Sequence, residues 1–423
     1  MPSAIDRQLA EIDAHYQAGR LTAAAEGCRA VLCQAPGHAG ALHRLGVLHH
    51  LSQEYATAIR LLGAAAAAGS QAAHGDLGVA LMKVGQPDEA LDQFRTAHAR
   101  APQDARATYN LAMALLAAGA IDEGFRLYEA RWHLKGPTPW VKHWERFWDG
   151  RPLAGQTLLV HAEQGFGDSI QFARYVPLAA ARGARVVLAV PGVLRRLMAG
   201  LEGCAQVLSE GERIPPYAAH APLMSLPHLL GTAADRIPAA LPYLAAPAII
   251  RPLSAEPLID TRLKVGLVWA GRPEDPDDRH RSCPLAVLSP LLALPEVQFH
   301  SLQMGPAEAA LDQVAGGTAV VRHGGVLGDF ADTAAVIARL DLIIAVDTAV
   351  VHLAGALGKP AWVLLSADPD WRWMRGREDS PWYPTHRLFR QPLLGQWVLV
   401  VERLRTELAA LIRPASTALP CEG

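Results

Sequence analysis

The sequence is poor in cysteine and has no cysteine spacing that fits a structural metal site. Only five cysteines occur in 423 residues, and no pair has the CxxC spacing of zinc ribbons or thioredoxin-type motifs. A sparse, odd number of thiols is typical of a reducing compartment. The sequence therefore predicts no metal site. The residues that we expect to be reduced thiols are Cys28, Cys33, Cys204, Cys283 and Cys421.

Neither a dominant charge nor a long apolar run is present. The 39 Lys and Arg residues nearly balance the 41 Asp and Glu residues, so a general nucleic-acid partner is not expected, although a local basic pocket for phosphate is compatible with this balance. The most apolar runs, such as 61–69, fall far short of the roughly 20 residues that span a bilayer. The first residues show no secretory signal pattern. We expect a cytoplasmic protein without a transmembrane segment.

The chain contains enough apolar residues to form several hydrophobic cores. Hydrophobic residues make up 51% of it, which excludes global disorder. At roughly 150 residues per domain, the length corresponds to about three domains.

The first third of the chain repeats itself about every 34 residues. Four equivalent positions, which we call the anchors, lie 34, 32 and 34 residues apart, and a small residue lies five positions after each anchor. Two antiparallel helices approach closely only where side chains are small, so the pattern predicts an α-solenoid of about four helix pairs over 1–135. Such an array either binds a peptide or protein in a groove, which we favour, or only supports the next domain structurally. The anchors are Gly19, Gln53, Gly85 and Gly119, and the small residues are Ala24, Ala58, Ala90 and Gly124.

A junction rich in tryptophan and proline follows at 136–156, where Trp140, Trp144 and Trp148 are more typical of packing between domains than of ligand stacking. From 157 onward, short apolar strands alternate with helical segments, which predicts parallel sheets. A proline-rich stretch at 237–259 separates two such units, predicted as 157–250 and 251–423. We expect two facing Rossmann-like lobes, with ligands at the carboxyl ends of the strands and in the cleft. The predicted strands are 157–163, 185–191, 205–209, 264–271, 297–303, 318–324, 340–348 and 360–366, and the predicted later helices lie near 285–293, 329–339, 349–358 and 395–412.

The first motif with chemical content, EQGFGDS (163–169), follows the first of these strands. Gly165 and Gly167 allow a ligand to approach the backbone. Asp168 is expected in the first helical turn, either as a helix cap or as a general base at the mouth of a cleft. Glu163, at the end of the strand, is the rival base. The motif lacks the GxGxxG spacing, so no nicotinamide cofactor is indicated.

The second motif, VDTAVVHLAG, directly follows an apolar strand. Thr348 is expected to cap the next helix, and its hydroxyl with the N–H groups of Ala349 and Val350 predicts an anion site. His352 lies four residues after Thr348 and so on the same helical face. A lone histidine on a helix is commonly structural, but this position favours ligand binding.

Two further polar segments leave alternatives open. The loop at 269–282 ends in Arg279, His280 and Arg281, and it is either a solvated loop or a set of guanidinium groups that closes on a diphosphate. The segment at 367–384 is dense in aromatic residues, which either stack on a sugar or a base or pack the lobes together.

Together these segments resemble tetratricopeptide repeats followed by a bacterial glycosyltransferase domain of the heptosyltransferase-like family nine, which has the GT-B fold. Such chains are also reminiscent of protein O-GlcNAc transferases. The transferase resemblance covers about 157–413, and its most specific pieces are VDTAVVHLAGALGKP, EQGFGDSIQFARY, the WAG…DRHRS loop and DWRW…EDSPWYP.

The resemblance implies an inverting, metal-independent transfer from a nucleotide-diphosphate sugar, with no other cofactor, and assigns the acceptor to the first lobe and the donor to the second. It makes Asp168 the general base. Arg272 after Gly271 and the acidic Asp277 depart from the family pattern. The implied donor-binding residues are Asp347, Thr348, Ala349, His352, Trp269, Gly271, Arg279, Arg281 and Gln303. The implied acceptor or cleft residues are Glu163, Gln164, Gly165, Gly167, Ser169, Trp371 and Trp373.

Two functions remain in competition. The first is an active glycosyltransferase whose repeats present a protein or peptide acceptor. The second is an interaction scaffold with an inactive transferase lobe. The presence of Asp168, Thr348 and His352 favours the first.

Overall fold

A computed structural model describes residues 3–135, 140, 145–247, 261–274 and 278–412. Trp144, Asp277 and Cys421 of the sequence predictions lie outside the described residues. The chain divides into two compact units. The first is Met1–Gly136 with Asp370–Arg372, and the second is Pro137–Pro369 with Trp373–Gly423.

The first unit is an array of antiparallel helix pairs, as the repeats predict. Consecutive helices pack on each other through the first eight helices, and the ninth packs on the seventh. The helices are α1 (Ala4–Gln17), α2 (Leu21–Gln34), α3 (Ala39–Leu51), α4 (Tyr55–Ala67), α5 (Gln71–Lys83), α6 (Pro87–Arg100), α7 (Ala105–Ala117), α8 (Ile121–Tyr128) and α9 (Arg131–Lys135).

The repeat anchors are the residues that reverse the chain between the two helices of each pair. Gly19, Gly85 and Gly119 have φ values of 71°, 74° and 84°, and Gln53 has a φ value of 61°. This left-handed conformation ends a helix and favours glycine, because a Cβ atom crowds the backbone there. The alignment of the four repeats is therefore confirmed.

Small residues lie where the paired helices cross. Ala24 and Ala90 are fully buried. A Cβ atom on Gly124 would lie 2.7 Å from Cγ of Leu116, so only hydrogen fits at that crossing. The close approach of the helices thus depends on the small residues that the sequence pattern identified.

The second unit contains two parallel sheets. The first sheet has the order β3-β2-β1-β4, and all three of its strand pairs are parallel. Its strands are β1 (Thr157–His161), β2 (Arg185–Ala189), β3 (Cys204–Leu208) and β4 (Ala219–Pro222), and the helices of this lobe are α10 (Phe166–Phe172), α11 (Val176–Ala181), α12 (Gly192–Met198) and α13 (Leu226–Leu229).

The second sheet has the order β10-β9-β8-β5-β6-β7 and is also parallel. Its strands are β5 (Leu263–Val268), β6 (Val297–Ser301), β7 (Val321–Arg322), β8 (Leu342–Val346), β9 (Ala361–Leu365) and β10 (His386–Arg390), and its helices are α14 (Asp278–Arg281), α15 (Leu285–Leu288), α16 (Phe330–Ile337), α17 (Ala349–Ala356) and α18 (Trp397–Ile412). Two Rossmann-like lobes therefore follow the helical array, as predicted.

Local differences from the prediction have identifiable causes. The helix that the sequence predicts around Asp168 is divided into α10, a 3₁₀ turn and α11, and Pro177 lies in the first turn of α11. The helix expected at 285–293 is α15 followed by a 3₁₀ turn that contains Pro290. Proline lacks the N–H that a continuous helix needs. The strand expected at 318–324 is only β7, because residues 317–319 form a 3₁₀ turn.

The junction contributes a buried tryptophan, and the cysteines that the structure describes form no disulfides. Trp148 is buried, and its Nε1 donates a hydrogen bond of 2.8 Å to the carbonyl of Arg151. Four cysteines in the described ranges are free thiols.

Across the described ranges, no helix combines the length and apolar character that a bilayer-spanning segment requires. Likewise, no group of three or more His, Cys, Asp or Glu side chains among the described residues is arranged to hold a metal ion.

Candidate functional site

The loop after β1 lies directly against the first turn of α17. A Cβ atom on Gly167 would lie 2.8 Å from Cδ2 of His352 and 3.4 Å from Cα of Ala349. Only a glycine fits at that distance, so this contact requires the glycine that the sequence places there. The two motifs that the sequence singled out separately, one from each lobe, therefore meet in one site within the second unit.

Asp168 occupies the first turn of α10 and is half-buried. Its Oδ2 accepts a hydrogen bond of 2.7 Å from the backbone N–H of Gly165. The bond fixes the carboxylate against the loop backbone, and it also confirms the expected role as a helix cap. Asp168 can act both as a helix cap and as a general base, because a carboxylate has two oxygens and about four acceptor positions.

The other polar residues of this loop hold its shape. Glu163 is 9% exposed, and its Oε1 accepts from the N–H of Met224 at 3.1 Å, which ties the ends of β1 and β4 together. Gln164 is exposed and adopts a left-handed φ of 57°, which costs free energy for a non-glycine residue. Ser169 is buried and donates to the carbonyl of Gly165. Glu163 is thus a structural anchor as well as the rival base.

Thr348 precedes α17 in an extended conformation, with φ −139° and ψ 171°. The side-chain cap that the sequence predicted is absent. Its Oγ1 atom is shielded from solvent and has no hydrogen-bond partner in the part of the chain that the structure describes. Leaving a buried hydroxyl without a partner costs about 1–3 kcal/mol, and the first N–H groups of a helix have no partner within it. Donors therefore converge at this helix end.

His352 is held on several sides. It is 5% exposed, and its ring is stacked on that of Trp373 with 5.4 Å between centroids. Its Nδ1 lies 3.0 Å from the hydroxyl of Tyr383, and its Nε2 lies 4.0 Å from Oδ1 of Asp347. A Cβ atom on Gly167 would be 3.5 Å from Nε2, so Nε2 is the ring nitrogen that faces the loop carrying Asp168.

The loop after β5 leaves its sheet at the same edge as Asp347, because β5 and β8 are neighbours with Val268 opposite Ala345. The Ser282 hydroxyl accepts from the N–H of Gly271 at 3.0 Å and donates to Oδ2 of Asp278 at 2.8 Å. These bonds fold the loop back on itself.

The basic residues of that loop have different environments. Arg281 pairs with Asp278 at 3.3 Å, and a side chain on Gly271 would collide with both residues. Arg279 is exposed and its Nε lies 3.1 Å from Nε2 of His280. Arg272 and Arg279 are both exposed and can therefore reach outward to an anion.

Gln303 holds the end of β5 in place through hydrogen bonds. Its Oε1 accepts from the N–H groups of Trp269 at 3.1 Å and Ala270 at 3.0 Å. Its Nε2 donates to the carbonyls of Ala270 at 3.2 Å and Met304 at 3.1 Å. Trp269 is 2% exposed and lies in the core of this sheet. Both residues therefore shape the loop, and their direct contact with a donor stays a prediction.

The aromatic side chains of the segment at 367–384 are buried. Trp371 belongs to the first unit, where its ring centroid lies 5.5 Å from that of Phe125. Trp373 and Trp382 have no exposed surface. These positions agree with the packing alternative. Trp373 nevertheless touches the site, through its stacking on His352.

Sequence reasoning missed one buried residue near the site. Arg174 is 4% exposed and lies in the 3₁₀ turn after α10. Its guanidinium carbon lies 4.6 Å from the ring centroid of Tyr383 and 4.7 Å from that of Tyr243. The sequence gives no signal for these contacts, because the three residues are far apart along the chain.

Two family models match the chain. Residues 76–132 match the tetratricopeptide repeat, and residues 308–373 match glycosyltransferase family 9 (heptosyltransferase). The helical array and the second lobe thus each contain a segment that is similar to one of these families. The segment similar to glycosyltransferase family 9 includes Asp347, Thr348 and His352.

One curated protein and two solved structures are among those similar to this chain. Protein FlbA of Caulobacter vibrioides is 30% identical over 374 residues, which are 80% of this chain and 58% of that protein. The O-GlcNAc transferase of Thermobaculum terrenum is 15% identical, with 99% of this chain and 95% of that chain covered and a TM-score of 0.33. The E. coli ADP-heptose lps heptosyltransferase II is also 15% identical, with 60% and 98% covered and a TM-score of 0.43.

Proposed function

We propose that the chain is an active, inverting glycosyltransferase that moves a sugar from a nucleotide-diphosphate sugar to an acceptor hydroxyl without a metal ion. One observation carries the proposal: the Thr348 hydroxyl, buried and without a described partner, stands at the start of α17 where this helix meets the Gly167 loop. A diphosphate oxygen is a ligand that would satisfy such a hydroxyl.

The donor diphosphate binds at the N-terminus of α17. The N–H groups of Ala349 and Val350 open this helix, and helix N-termini favour anions through their free N–H groups and the helix dipole. Thr348 Oγ1 and His352 add side-chain donors. These groups supply the positive potential that a metal ion supplies in other transferases, so the proposed reaction needs none.

Asp168 acts as the general base. Its carboxylate takes the proton from the acceptor hydroxyl while the acceptor oxygen forms a bond to the anomeric carbon. The bond from that carbon to the diphosphate oxygen breaks, and the nucleoside diphosphate leaves with the electron pair. Because the acceptor attacks opposite to the leaving group, one displacement inverts the anomeric configuration. The contact of Gly167 with α17 supports this assignment, since it brings the base loop to the donor site.

The tetratricopeptide array presents a protein or peptide acceptor. Stacked helix pairs form extended surfaces that suit peptide binding, and the array precedes the transferase in the same chain. The alternative, an interaction scaffold with an inactive transferase domain, predicts partner binding without turnover.

A panel of nucleotide sugars tests the proposal. We expect at least one member to bind in calorimetry and to be hydrolysed slowly in the absence of an acceptor, with release of the nucleoside diphosphate. Binding of no member contradicts the donor site, and binding without hydrolysis or transfer to any acceptor favours the scaffold.

A further inference from the structure

A buried cation lies close to the candidate donor site. The hydrogen bonds of the Arg174 guanidinium run to neutral oxygens, namely the carbonyls of Gln171, Pro238 and Trp382 and the hydroxyl of Tyr243. Tyr243 in turn donates to the carbonyl of Ile170 at 3.1 Å. Burial of a charge is costly unless its donors are satisfied, so this network is a built feature of the lobe.

Tyr383 connects this cation to the site histidine. The guanidinium carbon of Arg174 lies 4.6 Å from the ring centroid of Tyr383, so the cation packs against the ring. Burial raises the pKa of Tyr383 well above its ordinary value, so the hydroxyl keeps its hydrogen. The hydroxyl lies 3.0 Å from Nδ1 of His352, which accepts that hydrogen when Nδ1 carries none of its own.

A carboxylate near the other ring nitrogen determines which nitrogen of His352 carries the hydrogen. Nε2 of His352 lies 4.0 Å from Oδ1 of Asp347. A hydrogen on Nε2 is attracted to that oxygen, whereas a lone pair on Nε2 is repelled by it. The hydrogen therefore belongs on Nε2, which leaves Nδ1 as the acceptor.

We propose that Tyr383 and Asp347 together fix the tautomer of His352, because Tyr383 donates its hydrogen to Nδ1 while Asp347 attracts the hydrogen on Nε2, so that Nε2–H faces the donor diphosphate. Tyr383 is thus a positioning residue that acts through His352. In a neutral imidazole, the partner of one nitrogen determines which nitrogen carries the hydrogen.

The remaining groups around Tyr383 do not compete for this role. His386 is stacked on the Tyr383 ring with 4.7 Å between centroids, but its Nε2 bonds to the carbonyl of Val351 at 2.9 Å. Burial lowers the pKa of His386 to about 4, so it is neutral near pH 7. Gly355 leaves the space that the Tyr383 ring fills, since a side chain there would collide with the ring. The ring is therefore held in place independently of its hydroxyl.

The direct test is the tautomer of His352 in the ligand-free full-length chain. The protein is labelled with ¹⁵N-histidine, and the signal of His352 is assigned by its loss in His352→Gln. We expect the hydrogen on Nε2 in the wild type. A hydrogen on Nδ1 overturns the inference without reference to any variant.

Two matched variants separate the Tyr383 hydroxyl from its ring. Tyr383→Phe keeps the ring against Gly355 and removes the donor, and we expect an altered Nδ1 signal with a measurable fraction of the other tautomer. Tyr243→Phe removes a hydroxyl from the same network without contacting His352 in the described structure, and we expect the wild-type signal. An unchanged His352 spectrum in Tyr383→Phe overturns the inference.

Affinity for the donor is the second readout, and it rests on the proposed function. ADP, GDP and UDP are titrated separately into each variant. We expect the nucleoside diphosphate that binds the wild type to bind Tyr383→Phe roughly 10-fold more weakly, as for one lost bond to a charged group, and Tyr243→Phe equally well. Equal affinity for both variants overturns the role in donor binding. If no nucleoside diphosphate binds the wild type, the proposed donor site is contradicted. The role of Tyr383 is then judged from the tautomer of His352 alone.

Discussion

Gly167 and His352 are in such close contact that a methyl group on Gly167 would lie 2.8 Å from Cδ2 of His352. This distance is shorter than van der Waals contact, and His352 has little freedom to move because Trp373 and Tyr383 hold its ring. The geometry of the site therefore depends on the missing side chain of Gly167.

We predict that Gly167→Ala lowers transfer about 100-fold, because a displacement of about 1 Å at a reacting group has an effect of that size. The control is Gly75→Ala in α5, where a Cβ atom meets nothing within 4 Å. Turnover and circular dichroism are measured for both variants. Normal turnover in a folded Gly167→Ala protein contradicts the placement of the site.

Asp168→Asn tests the general base. The variant keeps an oxygen that accepts from the N–H of Gly165 but removes the basicity, so we expect a rate loss of about 10²–10⁴-fold and nearly unchanged donor affinity. Glu163→Gln is the matched control, because glutamine still accepts from the N–H of Met224. Collapse of turnover in the Glu163 variant alone transfers the role to Glu163, and normal turnover in both leaves no base in this loop.

Thr348→Val combined with His352→Ala tests the anion site. The double variant removes two donors at the start of α17, and we expect weaker binding of the nucleotide sugar in calorimetry. EDTA is expected to change neither binding nor turnover of the wild type. Thr406→Val, on the exposed face of α18, is the control for a lost threonine hydroxyl. Wild-type affinity in the double variant places the diphosphate elsewhere, and inhibition by EDTA contradicts metal independence.

The sequence predicts those parts of the molecule that depend on local patterns. The repeat anchors require a left-handed turn, and Gly19 and Gly85 are visible as glycines at a fixed spacing. The two strand-end motifs could likewise be placed at the edges of parallel sheets, because strand and helix periodicities differ.

The contacts that complete the site could not be predicted in this way. Arg174 donates to the carbonyl of Trp382 across 208 residues of sequence, and neither residue belongs to a recognisable spacing. Both ends of the Gln303 amide are hydrogen-bonded to the backbone of its own lobe, and the sequence gives no signal for these bonds. Pairings of this kind are set by the packing of the lobes.

The array offers a stability test of the repeat packing. A Cβ atom on Gly78 would lie 2.6 Å from Cε1 of Phe94, and Phe94 is 4% exposed and cannot swing outward. We predict that Gly78→Ala lowers the free energy of unfolding of the array by about 1–3 kcal/mol, the usual cost of overpacking. Gly75→Ala, on the same helix with open space around it, is expected to be neutral or stabilising, since alanine favours helices. Thermal unfolding followed by circular dichroism compares the two, and equal melting contradicts the assigned crossing.

The same pair of variants tests whether the array presents the acceptor. A temperature is chosen at which Gly78→Ala has lost the helical signal of the array while Gly75→Ala has not. The overpacked residue lies in the first compact unit and the donor site in the second, so we expect Gly78→Ala to keep slow hydrolysis of the nucleotide sugar and to lose transfer to a protein acceptor. Gly75→Ala is expected to keep both activities. Full transfer to the protein acceptor by Gly78→Ala at that temperature would show that the acceptor binds the transferase domain without the repeats. Loss of hydrolysis together with transfer would show instead that the array is needed to stabilise the transferase domain.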